Sequence, residues 1–308
     1  MRICLCDAYL STQPNHSTMA RSLCYLLYIV ISFTNAATSE ILKKREILSS
    51  NDVLLSNETD KEDFWSMVLD FDPAPNFLLN TFSNSVHHPT KQDSNIWNRM
   101  VSLTPPTSDE VKERGLVFVD VGAKLGHFSL AAASMGYKVI AFEPLSRNTY
   151  KMAKSKSVNR GLDITLYQNA ISDVSGEIVQ LPTNGIDYVT SLTLTDAMEG
   201  GMNAYIVKID AEDNENILNG ALDWVCHQTV QYIIMAISES SRTTTSLPAL
   251  LHFMQSAGYE ISDVDLTSDH SNVDHYNFYD MEVLEFLPPH ILFSLHEMEK
   301  HATCPHNE

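Results

Sequence analysis

Residues 117–145 read VFVDVGAKLGHFSLAAASMGYKVIAFEPL. An apolar, β-branched run over 116–119 gives way abruptly to Asp120, the pattern of a buried strand that ends in an acid. A glycine-bracketed turn follows, and Gly122 and Gly126 there permit positive φ and close approach of backbone to a ligand. The helix expected over 128–135 presents its free N-terminal amides to that turn. A second strand, expected over 138–142, ends in Glu143, about where a strand–helix–strand unit places a carboxylate to hold ribose hydroxyls. The stretch reads as a nucleotide-type binding site.

Spacing narrows the ligand. A dinucleotide fingerprint needs Gly-x-Gly-x-x-Gly to seat a pyrophosphate, and between Asp120 and Gly126 the only other glycine is Gly122. This argues against a nicotinamide-dependent oxidoreductase. An acid at the strand end repels a phosphate and suits a cation. S-adenosylmethionine carries an ammonium group and a sulfonium beside an adenosine whose ribose Glu143 is placed to hold. Downstream the strand–helix period continues, with strands expected over 164–167, 205–209, 232–237, 261–266 and 281–286, and a helix over 247–257 stopped by Gly258. Periodicity alone supports an open, mostly parallel α/β sheet covered by helices, whose ligands bind beyond the carboxyl ends of the strands. Asp120, Glu143, Asp173 and Asp210 fall at or just past such ends.

The chain resembles the FkbM-type S-adenosylmethionine-dependent methyltransferases over roughly residues 115–285. VDVGAKLGHFSL followed by VIAFEPLSRN is similar to that family's opening signature. Asn169-Ala-Ile-Ser-Asp173, followed by Gly176, resembles its third-strand segment. Residues 192–198, then Val207-Lys-Ile-Asp-Ala-Glu212 and Ile217-Leu-Asn-Gly-Ala221, resemble its later Lys-Ile-Asp-x-Glu-Gly signature. The resemblance implies a Rossmann-like class I methyltransferase fold of seven strands, mostly parallel, with helices on both faces and a final antiparallel strand. It implies a cofactor site drawn from Asp120, Gly122, Gly126, Glu143 and Asp173, and an acceptor that is a hydroxyl of a sugar or small metabolite. Three positions depart from the family pattern: Lys124 stands where Asn is usual, Asp213 where glycine is usual, and Ala236 where Glu is frequent. A module that keeps the cofactor fold without turnover is the alternative these departures leave open.

Methyl transfer is an in-line displacement, so the protein mainly aligns a nucleophile with the methyl group, and an alcohol acceptor also needs a proton acceptor within hydrogen-bond reach. Asp210, closing the fourth strand, is the expected catalytic residue, with Glu212 close behind it and Lys208 placed to orient either. The competing reading makes Asp210, Glu212, Asp213 and Glu215 a solvated acidic loop before a helix.

The 308 residues can bury one large core, and the α/β region from 116 to 308 accounts for a single catalytic domain. A formal net charge of −19 disfavours nonspecific contact with nucleic acid or anionic lipid. Arg21, the apolar run over 23–33 and the small residues ending at Ala36 read as a signal peptide over 1–36, or a short membrane anchor, and hence as entry into the secretory pathway. Asn57-Glu-Thr59 is a glycosylation acceptor consistent with that route. Once a leader is removed, only Cys226 and Cys304 remain, as a disulfide or as two buried thiols. Residues 37–115 read as a stem followed, from 61, by a loosely helical cover containing His87 and His88. His270 and His275 lie on a polar loop before the last expected strand, and their spacing is weak as a metal signal, so no metal is expected.

Overall fold

A computed structural model describes residues 64–68, 76–80, 90–105, 107–181, 187–198, 201–244, 246–265, 284–285 and 287–295, all within the unit Glu46–Glu308. The leader, Asn57, His87, His88, His270, His275 and Cys304 lie outside the described residues.

The described chain begins with an antiparallel pair, β1 (Phe64–Val68) and β2 (Asn76–Asn80), in the register Phe64 opposite Asn80. Helices α1 (Lys91–Leu103) and α2 (Ser108–Glu113) follow. Strand pairing therefore stands in part of the region expected to be loosely helical. Thr90 closes a capping box with Asp93 at the start of α1, and Thr107 caps α2. Next come β3 (Val117–Val121), α3 (His127–Ser134), β4 (Lys138–Phe142), α4 (Ser146–Val158), β5 (Ile164–Tyr167), β6 (Ala170–Ile171), β7 (Ile178–Gln180), β8 (Tyr188–Leu192) and α5 (Leu194–Ala197). The remainder is β9 (Ala204–Ile209), α6 (Asn214–Asn219), α7 (Leu222–His227), β10 (Val230–Ala236), α8 (Ser246–Ser256), β11 (Tyr259–Asp263) and β12 (His290–Leu295).

Seven strands form the main sheet in the order β11-β12-β10-β9-β3-β4-β5. β10, β9, β3, β4 and β5 are parallel, and β12 runs antiparallel between β10 and β11. This is the mostly parallel class I architecture with a reversed final strand. Its inner strands are near-continuous apolar runs, as strands buried on both faces require, and all five residues of β3 are buried. Each fully buried Val, Ile or Phe here contributes roughly 1.5–3 kcal/mol. α3 is buried almost all round because it packs against β3 and β4 on one side and β2 on another, and its Ala131, Ala132 and Ala133 let those neighbours come close.

Two expectations are corrected. β3 runs one residue beyond Asp120, so Asp120 is not at the strand end but inside it, fully buried. The last described strand is His290–Leu295, and of the expected 281–286 only Leu284 and Glu285 are described, neither of them in a strand. Ile291, Leu292, Phe293 and Leu295 are buried there, in a strand that pairs with both β10 and β11, whereas the earlier run is interrupted by Glu282 and Glu285. Cys226 is disulfide-bonded.

Candidate functional site

The strand order reverses between β3 and β9, because the chain moves outward to β4 and β5 on one side and to β10 on the other. A crevice opens at such a point beyond the carboxyl ends of the strands. Here it is a cleft of about 440 Å³, lined among others by Gly122, Lys124, Glu143, Asn169, Asp210 and Glu212.

Gly122 sets its floor. The residue has φ +74, and a Cβ there would lie 2.3 Å from the backbone oxygen of Asp210, so only glycine lets the β3 loop meet the β9 loop this closely. Gly126 caps α3 at φ +88 and sits against the Met152 side chain, but it does not line the cleft. Lys124, between them, is the one non-glycine with positive φ among the described residues (φ 54). Asn and Asp occupy that region more readily than Lys.

Glu143 is 3% exposed and its carboxylate is held on three sides. It accepts hydrogen bonds from the Lys124 amide (2.8 Å), the Leu145 amide (3.1 Å) and Asn148 Nδ2 (3.0 Å). A carboxylate has about four acceptor sites, so one remains for a ligand hydroxyl. Asn169, missed among the sequence-level site residues, lies between β5 and β6. Its Nδ2 donates to the Thr190 carbonyl (3.0 Å), and its buried Oδ1 has no hydrogen-bond partner among the described residues. An unpaired buried acceptor costs about 1–3 kcal/mol, so a donor from a ligand is favoured there. The available signal was Asn at the end of an apolar strand, within the third-strand segment.

Charge is concentrated around β9. Lys208, almost fully buried, pairs with Asp120 (3.1 Å) and stands 3.7 Å from Asp210, with its ammonium over the Phe128 ring. Burial pushes the Lys208 ammonium down, but Asp120 and Asp210 outweigh it and hold it above the usual range. Ser129 Oγ also donates to Asp120 (2.6 Å). Asp120 therefore does not line the cleft, and its carboxylate serves the Lys208 pair. Asp210 does line it, and accepts from Lys124 Nζ at 2.9 Å. Burial raises the Asp210 carboxyl, but Lys208 and Lys124 hold it down at about 2. So weak a base offers little driving force for taking an alcohol proton at neutral pH.

The acidic loop divides in two. Glu212 and Asp213 are exposed and line the cleft, and Asp213 accepts from Asn216 Nδ2 (2.7 Å) with φ −127, so this turn has no need of the family's glycine. Glu215 is buried and accepts from Thr244 (2.8 Å) and Ser246 (2.6 Å), tying α6 to the start of α8. Asn214 joins the loop to the sheet, accepting from the Ala211 amide (2.7 Å) and donating to the Ala236 carbonyl (3.0 Å). Asp173 is exposed, bonded to Ser172 Oγ, and outside the cleft lining. The site thus brings together Gly122, Glu143, Asp210 and Glu212, and leaves Asp120, Gly126 and Asp173 off the cleft wall.

No family model matches the chain, and no curated protein matches it in sequence. Among solved structures it is similar to a precorrin-6y C5,15-methyltransferase from Geobacter metallireducens, at 15% identity over 63% of this chain and 81% of that one, with a TM-score of 0.37. A TehB-like SAM-dependent methyltransferase from Corynebacterium glutamicum matches at 10% identity over 70% and 90% of the two chains, with a TM-score of 0.37. A SAM-dependent methyltransferase from Agrobacterium tumefaciens matches at 16% identity over 59% and 55%, with a TM-score of 0.36. At these values they are likenesses, and the fold assignment rests on the sheet order and strand directions.

Proposed function

We propose that the chain is an S-adenosylmethionine-dependent methyltransferase of the FkbM type, acting on a hydroxyl of a sugar or small metabolite in the secretory pathway. One observation carries the reading. The switch-point cleft is lined by four carboxylates, Glu143, Asp210, Glu212 and Asp213, against one ammonium, Lys124. That balance suits a cationic ligand and opposes a polyphosphate. The cleft's volume lies within the 300–1,000 Å³ usual for small-molecule sites.

The residues fit the cofactor. Glu143 keeps one acceptor site for a ribose hydroxyl, and Asn169 Oδ1 would accept from the exocyclic amine of a purine. The bound cofactor supplies an electrophilic methyl group on a sulfonium. Around it, Asp210 and Glu212 hold the acceptor side of the cleft electrostatically, and Lys208 fixes Asp210 from beneath. The close approach of Gly122 to the Asp210 backbone joins the β3 and β9 loops in that wall.

A second reading, a cofactor-binding module without turnover, is favoured by one feature: Lys124 places an ammonium in the cleft and neutralises the nearest acid, Asp210. Incubation with methyl-labelled S-adenosylmethionine and a panel of sugars and small alcohols separates the two. Label in any acceptor hydroxyl supports the enzyme. Tight cofactor binding without label in any panel member supports the inert module.

A further inference from the structure

A second cleft of about 290 Å³ lies on the same sheet edge, between the first turn of α1 and the start of β12. Lys91, Gln92, Asn95, Asp263, Asp265 and His290 line it. The wall is built. Arg99 donates to the Asp263 and Val264 carbonyls (2.7 and 3.2 Å) and Asn95 Nδ2 to Asp265 (3.0 Å), clasping α1 to the end of β11.

Sheet register shows how the clefts relate. β9 pairs with β10 as Ile209 with Met235, and β10 with β12 as Ala236 with His290. Asp210, Ala236 and His290 therefore share one row across the carboxyl edge, about 4.8 Å per strand step. Ala236 is the residue between Asp210 and His290 in that row. With alanine at that position, the row carries a small side chain between Asp210 of the first cleft and His290 of the second. His290 is half-buried, and no hydrogen bond to another described residue engages its ring.

We propose that this second cleft is the acceptor site of the methyltransferase read above, that it takes a small polyhydroxylated molecule, and that His290 accepts the proton of the hydroxyl being methylated. The inference rests on the methyltransferase reading. In the step, the acceptor oxygen forms a bond to the methyl carbon, the carbon–sulfur bond breaks with its electron pair going to sulfur, and the hydroxyl proton passes to an imidazole nitrogen and then to water. The cleft offers ammonium and amide donors beside carboxylate acceptors, as a ligand with several hydroxyls requires. Burial pushes the His290 imidazolium down, as do Lys208 and Lys124, against the opposite pull of Asp210 and Asp93. Lys91, Asp263 and Asp265 face it within the cleft. The direction favours the neutral imidazole, which has a ring nitrogen free to accept a proton.

Two measurements test this. In cofactor-free protein, imidazole resonances assigned with His290→Gln are followed while glucose, galactose, mannose and their methyl glycosides are added. The His290 signal moves with at least one sugar; a signal that no sugar moves overturns the acceptor site. With S-adenosylmethionine and the responding sugar, His290→Gln lowers methyl transfer by about 10²–10⁴-fold and abolishes the rise of rate with pH below 6.5, while S-adenosylhomocysteine affinity is unchanged. Ala236→Leu, which enlarges the side chain between Asp210 and His290, lowers transfer as well. Full turnover in His290→Gln overturns the proton role. Failure of wild-type protein to bind S-adenosylhomocysteine refutes the underlying methyltransferase reading instead, and the sugar titration reports independently of it.

Discussion

Glu143 and Asp120 illustrate how two acids one strand apart in the same motif do different work. Glu143 ends β4 and opens onto the cleft, and its three internal donors aim the remaining acceptor site. Glu143→Ala is expected to weaken S-adenosylhomocysteine binding by about 1.5–3 kcal/mol, the worth of a hydrogen bond to a charged group. Isothermal calorimetry with circular dichroism as a folding control checks it. Asp120→Asn leaves the buried Lys208 ammonium without its closest partner, and the expected loss is about 3–5 kcal/mol of stability in a urea melt. An unchanged melt for Asp120→Asn would mean that Asp210 alone suffices for Lys208. Asp210 carries a pH prediction. Its folded-state carboxyl is depressed to about 2 from 3.8, so its contribution is present above 3.8 and lost as pH falls toward 2. The stability gap between wild type and Asp210→Asn is therefore constant near neutrality and narrows in acid. A gap that widens in acid would contradict the sign. Glu143 was legible because a strand end and an acid coincide in the sequence. Asp120 was misplaced because nothing in Val-Asp-Val says that the strand continues past the acid, and its burial depends on Lys208, 88 residues away.

At the scale of elements, the strands with continuous apolar runs were readable: β4 and β5 fall on their expected residues, and β3, β9 and β10 within one or two. The strand His290–Leu295 was not, because its place between β10 and β11 depends on partners distant in the sequence. His290, at the head of that strand, was missed with it. The β3–β9 junction yields a prediction specific to elements. Gly122→Ala adds a left-handed strain of about 1–3 kcal/mol to a contact 2.3 Å from the Asp210 carbonyl, and should lose both stability and cofactor binding. Gly161→Ala, at φ +90 with nothing within 4 Å, is the matched control and should show the strain alone. Equal losses in the two variants would mean that the close approach of the loops contributes nothing.

For the whole molecule, charge bears on which partners are favoured. A net charge of −19 disfavours nonspecific contact with polyanions, and the cleft lining carries the same sign, which suits a cationic ligand. The disulfide at Cys226 accords with an oxidising compartment, and the proposed leader predicts a mature chain beginning at Ala37. N-terminal sequencing of protein from a eukaryotic host checks this; residues 1–36 intact on a cytosolic product would exclude it, and intact in a membrane fraction would favour an anchor. The central claim, that the switch-point cleft holds S-adenosylmethionine, meets its most direct test in one calorimetric comparison: purified wild-type protein titrated with S-adenosylhomocysteine and, separately, with NAD. Saturable one-to-one binding of S-adenosylhomocysteine, weakened in Glu143→Ala, with no heat from NAD, is the predicted result. Binding of NAD in preference to S-adenosylhomocysteine, or S-adenosylhomocysteine affinity indifferent to Glu143, would contradict it.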